Sequence, residues 1–445
     1  MSTQSDHPIT PVAEPAARPR IVIIGAGFGG VQLARGLASA PADITLIDQH
    51  NYHCFQPLLY QVATAVLSPA DIAWPIRHIL AGQPNLTMLM ARAEGVDRAA
   101  RVVSTSEGPI PYDILVLATG ATYAYFGHDD WAEAAPGLKN IEDATRLRRR
   151  ILLAFERAET TRDEAERRRL LTFAVIGGGP TGVEMAGAIA EVARHALAPD
   201  FRNVDPRTAR ILLIEAGPRL LPALPENLAT YAAHRLESMG VEVMTGTPVT
   251  SIDAHQVALG DGTTIETATT VWAAGVKASA AGQWLGAETD RAGRCLVTPQ
   301  LTLPDDPAIF VIGDTAAVKD AAGKPVPGIA PAAKQMGAYV ARVIRARLAG
   351  KAEIGPFRYS HQGDLATIGR NSAVVKLGRF ELTGFLGWVF WGIVHVYFLI
   401  GTRNRLAVGT TWLWNYVTNQ RAARLITGDT TAGEHRPAAP ASPTS

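Results

Sequence analysis

Two passages of this chain repeat one another, and no other feature limits its possible folds as tightly. Arg20-Ile-Val-Ile-Ile-Gly-Ala-Gly-Phe-Gly-Gly-Val is matched about 150 residues later by Leu171-Thr-Phe-Ala-Val-Ile-Gly-Gly-Gly-Pro-Thr-Gly-Val. Each is a short β-branched run, then a glycine cluster, then a helix. A continuous apolar run without alternation suits a strand buried on both faces of a parallel sheet, so both copies are read as strand, tight turn and helix.

The glycines of such a turn have separable tasks. Gly25 and Gly177 permit the tight turn, Gly27 and Gly179 let a pyrophosphate approach the backbone, and Gly30 and Gly182 let helix and strand pack closely. The phosphates then meet free N–H groups and the positive end of the helix dipole. A second strand should end, about 20 residues on, in an acid that bonds an adenosine ribose. Ile44-Thr-Leu-Ile-Asp48 ends that way, and Ile211-Leu-Leu-Ile-Glu215 does so after an insertion containing Pro199 and Pro206. Two glycine turns, each with its own acid, predict two dinucleotide sites.

Composition excludes several other classes. Apolar residues make up 47% and charged residues 19%, which implies large cores or an apolar outer face rather than general disorder. With 42 basic and 41 acidic residues, no global field draws the chain to nucleic acid. Cys54 and Cys295 are too few and too far apart for a disulfide framework, a metal site or a dithiol centre. The stretch from Met1 to Arg20 lacks an apolar core, so it fails as a signal peptide and is expected to be a disordered leader.

From Arg20 to about Ala341 the chain resembles the two-dinucleotide-domain flavoprotein reductases. Three further motifs carry the likeness: Tyr112-Asp-Ile-Leu-Val-Leu-Ala118-Thr119-Gly120, its echo Val271-Trp-Ala-Ala274-Gly275, and Ala308-Ile-Phe-Val-Ile-Gly313-Asp314. The resemblance implies that FAD binds the first fold, the nicotinamide cofactor binds the second, inserted fold, and Asp314 bonds the ribityl chain. An ionised Glu215 repels a 2′-phosphate, so NADH is favoured over NADPH, although Arg219 lies four residues on.

A narrower resemblance follows from Asn51-Tyr-His-Cys-Phe-Gln-Pro-Leu-Leu-Tyr-Gln-Val-Ala63, Leu67-Ser-Pro-Ala-Asp-Ile-Ala-Trp-Pro-Ile-Arg77, Ala330-Pro-Ala-Ala-Lys-Gln335 and Ile368-Gly-Arg-Asn-Ser-Ala-Val-Val-Lys376. These resemble the type II NADH dehydrogenases, which are non-pumping, single-chain NADH:quinone oxidoreductases. That likeness implies hydride transfer from NADH to FAD and two electrons to a membrane quinone. Ubiquinone is the first expectation, and the quinone type stays open because Pro331 stands where many members have a Gln. Glu184 lies just inside the helix after the second glycine cluster, where a negative charge is stabilised. The resemblance places it at the nicotinamide and flavin, with a proton-handling role. Gln335 and Lys376 are candidates for the quinone end, the latter against the alternative of a solvated strand lysine.

The last hundred residues change character. Leu382–Thr402 carries no formal charge, and about 20 such residues are enough to span a bilayer, but glycines, Thr383 and His395 interrupt it. From Trp412, Leu413, Tyr416, Val417 and Gln420 fall on one side of a helix, with Arg421 and Arg424 following, which reads as an amphipathic surface anchor. A dimer interface would use the same residues.

The predicted architecture is therefore α/β, with two Rossmann-like dinucleotide-binding domains, the second inserted in the first, plus a C-terminal membrane-associating α-helical segment. The boundaries expected are a leader over 1–19, the FAD domain over 20–145 and 296–356, the NADH domain over 146–295, the anchor and quinone region over 357–428, and a disordered tail over 429–445. The expected place is the cytoplasmic face of the cell membrane, with the membrane surface and a homodimer as partners. A soluble flavin reductase using oxygen or a protein carrier, or a redox-sensing protein, are the rival functions.

Overall fold

The computed structural model describes residues 18–427 apart from Ala321, Asn419, Gln420 and Ala422. The expected tail, nearly all of the leader and the placement of Gln420 lie outside the described residues. The chain forms two compact units: one from residues up to His53, Trp74–Thr122 and Val276–Gln362, and another from Cys54–Ala73, Tyr123–Gly275 and Gly363 onward.

In the first unit, strand β1 (Arg20–Ile24) runs into helix α1 (Phe28–Gly36), followed by β2 (Asp43–Asp48). A short helix α2 (Leu59–Ala63) belongs to the second unit. The chain returns for β3 (Leu86–Met90) and β4 (Ile114–Leu117), re-enters the second unit at Tyr123 and there forms helix α3 (Ile141–Thr160). Asn140 caps α3, accepting from the Asp143 N–H at 2.8 Å while the Asp143 carboxylate takes the Asn140 N–H at 3.1 Å.

The first motif order then recurs: β5 (Thr172–Ile176), α4 (Pro180–Glu191), β6 (Arg210–Ile214), β7 (Val241–Met244) and β8 (Thr269–Trp272). Strand β9 (Ile309–Val311) rejoins the first sheet, and helix α5 (Ala330–Leu348) packs on α1. The first sheet runs β9-β4-β1-β2-β3 and the second β7-β6-β5-β8, both parallel. The second fold is thus inserted in the first, between β4 and β9. All five residues of β5 are buried, as are Ile21–Ile24 of β1, in accord with their unbroken apolar character.

The unit boundaries differ from those drawn from sequence. Residues 123–145 go with the inserted fold because Trp272 donates its indole N–H to the Ala124 carbonyl at 3.0 Å and stacks near Tyr125 at 5.0 Å. Residues 276–295 go with the first unit, where the Ser279 N–H reaches the Gly120 carbonyl at 3.1 Å. Such long-range ties leave no mark in a local pattern.

The second unit also carries an antiparallel sheet, β10 (Asp364–Thr367), β11 (Ala373–Leu377) and β12 (Phe380–Thr383), then helices α6 (Gly384–Phe398) and α7 (Thr402–Thr418). The second of these helices starts ten residues before the point expected, with Gly401 at φ +86° in the break. No described helix is long and apolar enough to cross a membrane.

A further correction concerns Arg421 and Arg424, expected to face lipid. Arg421 is only 8% exposed, and it donates to the Thr64 carbonyl at 2.9 Å and to Glu191 at 2.7 Å. Arg424 pairs with Asp200 and the Ala196 carbonyl. Internal acceptors hold both guanidinium groups more firmly than an exposed lipid headgroup, where screening weakens the attraction.

Candidate active site

In the first unit, the carboxyl ends of β1, β2, β4 and β9 share one edge of the sheet, the usual place for ligands in such folds. Gly25 adopts φ +102°, and a Cβ there would lie 2.4 Å from the Ala118 carbonyl oxygen. A Cβ on Gly30 would strike the Gly25 oxygen at 1.8 Å, whereas one on Gly27 would meet nothing within 4 Å. Two glycines therefore serve packing, and the third faces open space. Asp48 accepts the Ala26 N–H at 2.7 Å and the His50 N–H at 2.8 Å. Thr315 donates to the Gly120 carbonyl at 3.1 Å and meets the Thr119 hydroxyl at 3.2 Å, tying the turn Ala118–Gly120 to the turn at Gly313 and half-buried Asp314. Buried His53 meets the Ala26 carbonyl through Nδ1 at 2.9 Å, and burial lowers its pKa to about 4, so it is neutral beside this turn.

The inserted fold repeats this geometry closely. Gly177 has φ +111° with its Cβ position 2.5 Å from Ala273 and Ala274 backbone atoms, Gly182 would strike the Gly177 oxygen at 1.8 Å, and Gly179 is open. Glu215 accepts the Gly178 N–H at 2.5 Å and the Gly217 N–H at 2.6 Å. Arg219 donates to the Pro222 carbonyl at 3.0 Å in its own loop. Gly275 follows Ala274 at the end of β8. Both cradles fit a dinucleotide: an open glycine at a helix N-terminus, and a carboxylate held by backbone N–H bonds with lone pairs left for a ribose.

Glu184 stands on α4 of this fold, but one turn in, and no acid occupies the first turn. Burial pushes its carboxyl up to about 8, offset in part by a backbone hydrogen bond from Thr367. It is therefore protonated at neutral pH, where the helix dipole alone had suggested an anion. Lys376 lies half-buried on β11 and is paired with Glu381 of β12. Gln335, on α5 of the first unit, is engaged at both ends of its amide: Nε2 donates to the Ser360 carbonyl at 2.8 Å and Oε1 takes the Ser360 N–H at 2.9 Å. Glu184 and Lys376 thus share the second unit, and Gln335 belongs to the first.

The structure adds residues that sequence reasoning passed over. Gln61 donates to the Tyr60 hydroxyl at 2.8 Å and accepts the Trp412 indole N–H at 2.7 Å. Glu191 takes both the Arg421 guanidinium and the Arg370 N–H. A spacing of seven from Glu184, two helical turns, was the one available signal for Glu191. Tyr60 and Gln61 were within a quoted motif without an assigned task.

A family profile described as pyridine nucleotide-disulphide oxidoreductase matches residues 19–337, and one described as the NDH2 C-terminal domain matches residues 361–420. The chain is 45% identical to the type II NADH:quinone oxidoreductase Ndh of Mycobacterium tuberculosis, over 94% of this chain and 92% of that protein. The chain belongs to the type II NADH:quinone oxidoreductase family. A second protein of this family in the same organism, NdhA, is 43% identical over 93% of this chain and 91% of its own length. NDH2 of Plasmodium falciparum, solved in complex with NADH, superimposes with a TM-score of 0.85 at 21% identity, over 92% of this chain and all of that one. In this type II member the thiols are ill suited to disulfide chemistry. Burial pushes Cys54 up to about 12 and Cys295 up to about 11, and the two belong to different units.

Proposed function

We propose that this protein is a non-electrogenic NADH:quinone oxidoreductase of a respiratory chain. The observation that carries this proposal is the pair of matching dinucleotide cradles within a type II family chain. Gly25, Gly27, Gly30, Asp48, Ala118–Gly120, Gly313 and Asp314 would hold FAD. Gly177, Gly179, Gly182, Glu215, Ala274 and Gly275 would hold NADH. When bound, FAD supplies the two-electron chemistry that accepts hydride from NADH and returns both electrons to a quinone. The protein's own residues then manage orientation and protons. Reducing a quinone consumes two protons for the one hydride delivered, so a further proton must be provided. Glu184, neutral below about pH 8, holds a proton on its carboxyl oxygen in a desolvated setting suited to donation. Lys376 and Gln335 are proposed for the quinone end, with Gln335 acting chiefly by fixing the chain at Ser360.

We also place the protein on the cytoplasmic surface of the cell membrane through α6 and α7. Leu386, Ile393 and Tyr397 on α6 are 69%, 64% and 68% exposed, and Leu406, Leu413 and Val417 on α7 match them. At 1.5 Å per residue α6 extends about 22 Å, short of a hydrocarbon core of about 30 Å, so it lies along the surface.

Two half-reactions test the activity. Mixed with NADH in a stopped-flow instrument, the purified flavoprotein should bleach, and a short-chain ubiquinone should restore the colour. Bleaching without recovery by any quinone would reject the quinone assignment.

A further inference from the structure

Within the second unit, residues 124–127 cross the carboxyl end of β8. Trp272, the last residue of that strand, donates its indole N–H to the Ala124 carbonyl at 3.0 Å, and the Ala124 N–H reaches the Gly275 carbonyl at 3.2 Å. The Tyr125 hydroxyl donates to the Ala135 carbonyl at 2.9 Å, which fixes the same stretch from its other side. The next residue, Phe126, is held at φ +54°, a left-handed conformation that a bulky side chain rarely takes. Its ring is nevertheless 70% exposed, so burial does not offset that strain. Strain kept in place by surrounding bonds at an exposed ring points to a function for the ring. Gly275 gives an independent sign. Its counterpart in the first fold, Gly120, has φ +68° and nothing within 4 Å of a Cβ position. Gly275 has no positive φ, and what excludes a side chain there is the Phe126 ring, 2.6 Å from where a Cβ would lie. The turn after β8 is thus shaped to seat that ring.

The order of strands decides which part of a dinucleotide meets Phe126. The second sheet runs β7-β6-β5-β8. Glu215, the acid for the adenosine ribose, follows β6, and the glycine turn from Gly177 follows β5. A Cβ on Gly177 would lie 2.5 Å from the Ala274 Cα, so the turn after β8 comes directly next, with Gly275 and the Phe126 ring at its far side. A dinucleotide that has its adenosine at Glu215 and its pyrophosphate over Gly179 therefore extends its other half towards β8. We infer that the exposed face of Phe126 is the aromatic wall for the nicotinamide half of NADH, stacking on the nicotinamide ring and fixing its place. The inference rests on the NADH reading above and deepens it. Two flat rings attract in offset or edge contact, and the bound ring would remove from water the apolar face that the fold leaves exposed. Adenine, also flat, falls beyond Glu215 at the opposite end of the ligand, away from Phe126.

The test uses the full-length, flavin-loaded protein and two ligands that cannot reduce the flavin: NAD⁺, and ADP-ribose, which lacks the nicotinamide ring. Titration calorimetry reads both affinities. Phe126→Ala should weaken NAD⁺ about three- to tenfold, the range for one aromatic stacking contact, and leave ADP-ribose binding unchanged. Phe126→Tyr keeps a ring and should bind NAD⁺ as the wild type does. Phe126→Gly, suited to a positive φ, should show the same pattern as the alanine variant and carries the comparison if that variant does not fold. Equal weakening of both ligands would reduce Phe126 to a structural role and overturn the inference, as would unchanged NAD⁺ affinity in the alanine and glycine variants. Wild-type protein that binds neither ligand would instead defeat the NADH reading itself.

Discussion

At Glu184 two effects oppose each other. A helix N-terminus favours a carboxylate by roughly 0.3–1 kcal/mol and only within the first turn, less than one pKa unit. Burial moves the group from 4.5 to about 8, so desolvation wins. The neutral acid is the form the fold prefers. Stability from this group is complete below about pH 4.5, declines as pH rises through 8, and is level above that. Glu184→Gln cannot ionise, so its melting midpoint should gain on the wild type between pH 5 and 8.5. In turnover the wild type should lose quinone-driven flavin reoxidation as pH rises past about 8. The variant should be slower by on the order of 100-fold, with that pH limb gone. Reoxidation at wild-type speed in stopped-flow traces would remove Glu184 from proton delivery.

At the scale of elements, the residues following α7 are locked to the end of α4. Arg421 and Glu191 form a largely buried pair, with side chains 9% and 17% exposed, and Arg370 adds a backbone N–H from the β10–β11 turn. Removing one partner of such a pair strands a charge and costs about 3–5 kcal/mol, while replacing both by apolar groups of similar size costs far less. Arg421→Met should therefore lower the thermal midpoint by several degrees and open the chain beyond Thr418 to protease. The double variant Glu191→Met, Arg421→Met should recover part of the loss, because no charge is then stranded and only neutral groups, the Arg370 N–H and the Thr64 carbonyl among them, lose a partner. Equal losses in single and double variants would mean that the pair stabilises little.

For the whole molecule, the membrane attachment proposed above would draw mainly on apolar area. With Arg421 and Arg424 turned inward, the exposed arginines of α7 are Arg403 and Arg405, in its first turn, each contributing on the order of 1 kcal/mol at an anionic surface. High salt should loosen binding to vesicles containing phosphatidylglycerol only weakly. Ile393→Asp with Val417→Asp, which places charge on both exposed stripes, should move the protein to the supernatant while flavin content stays intact. Complete release of the wild type by salt alone would contradict this. So would retention of the double variant together with a dimer in sedimentation analysis, which would assign the stripes to a second copy.

Much of the fold was legible because its signals are local. The apolar runs of β1 and β5, the spacing of Gly25 to Gly30 and Gly177 to Gly182, and the acids at Asp48 and Glu215 all lie within short windows, where strand burial, positive φ and close packing impose strict residue choices. Tertiary structure decided the ionisation of Glu184, which depends on burial near Thr367; the engagement of Gln335, which depends on Ser360; and the direction of Arg421, which depends on Glu191 and Thr64. Each partner is distant along the chain, and desolvation and hydrogen bonding depend on distance in space, so no periodicity or spacing carries them.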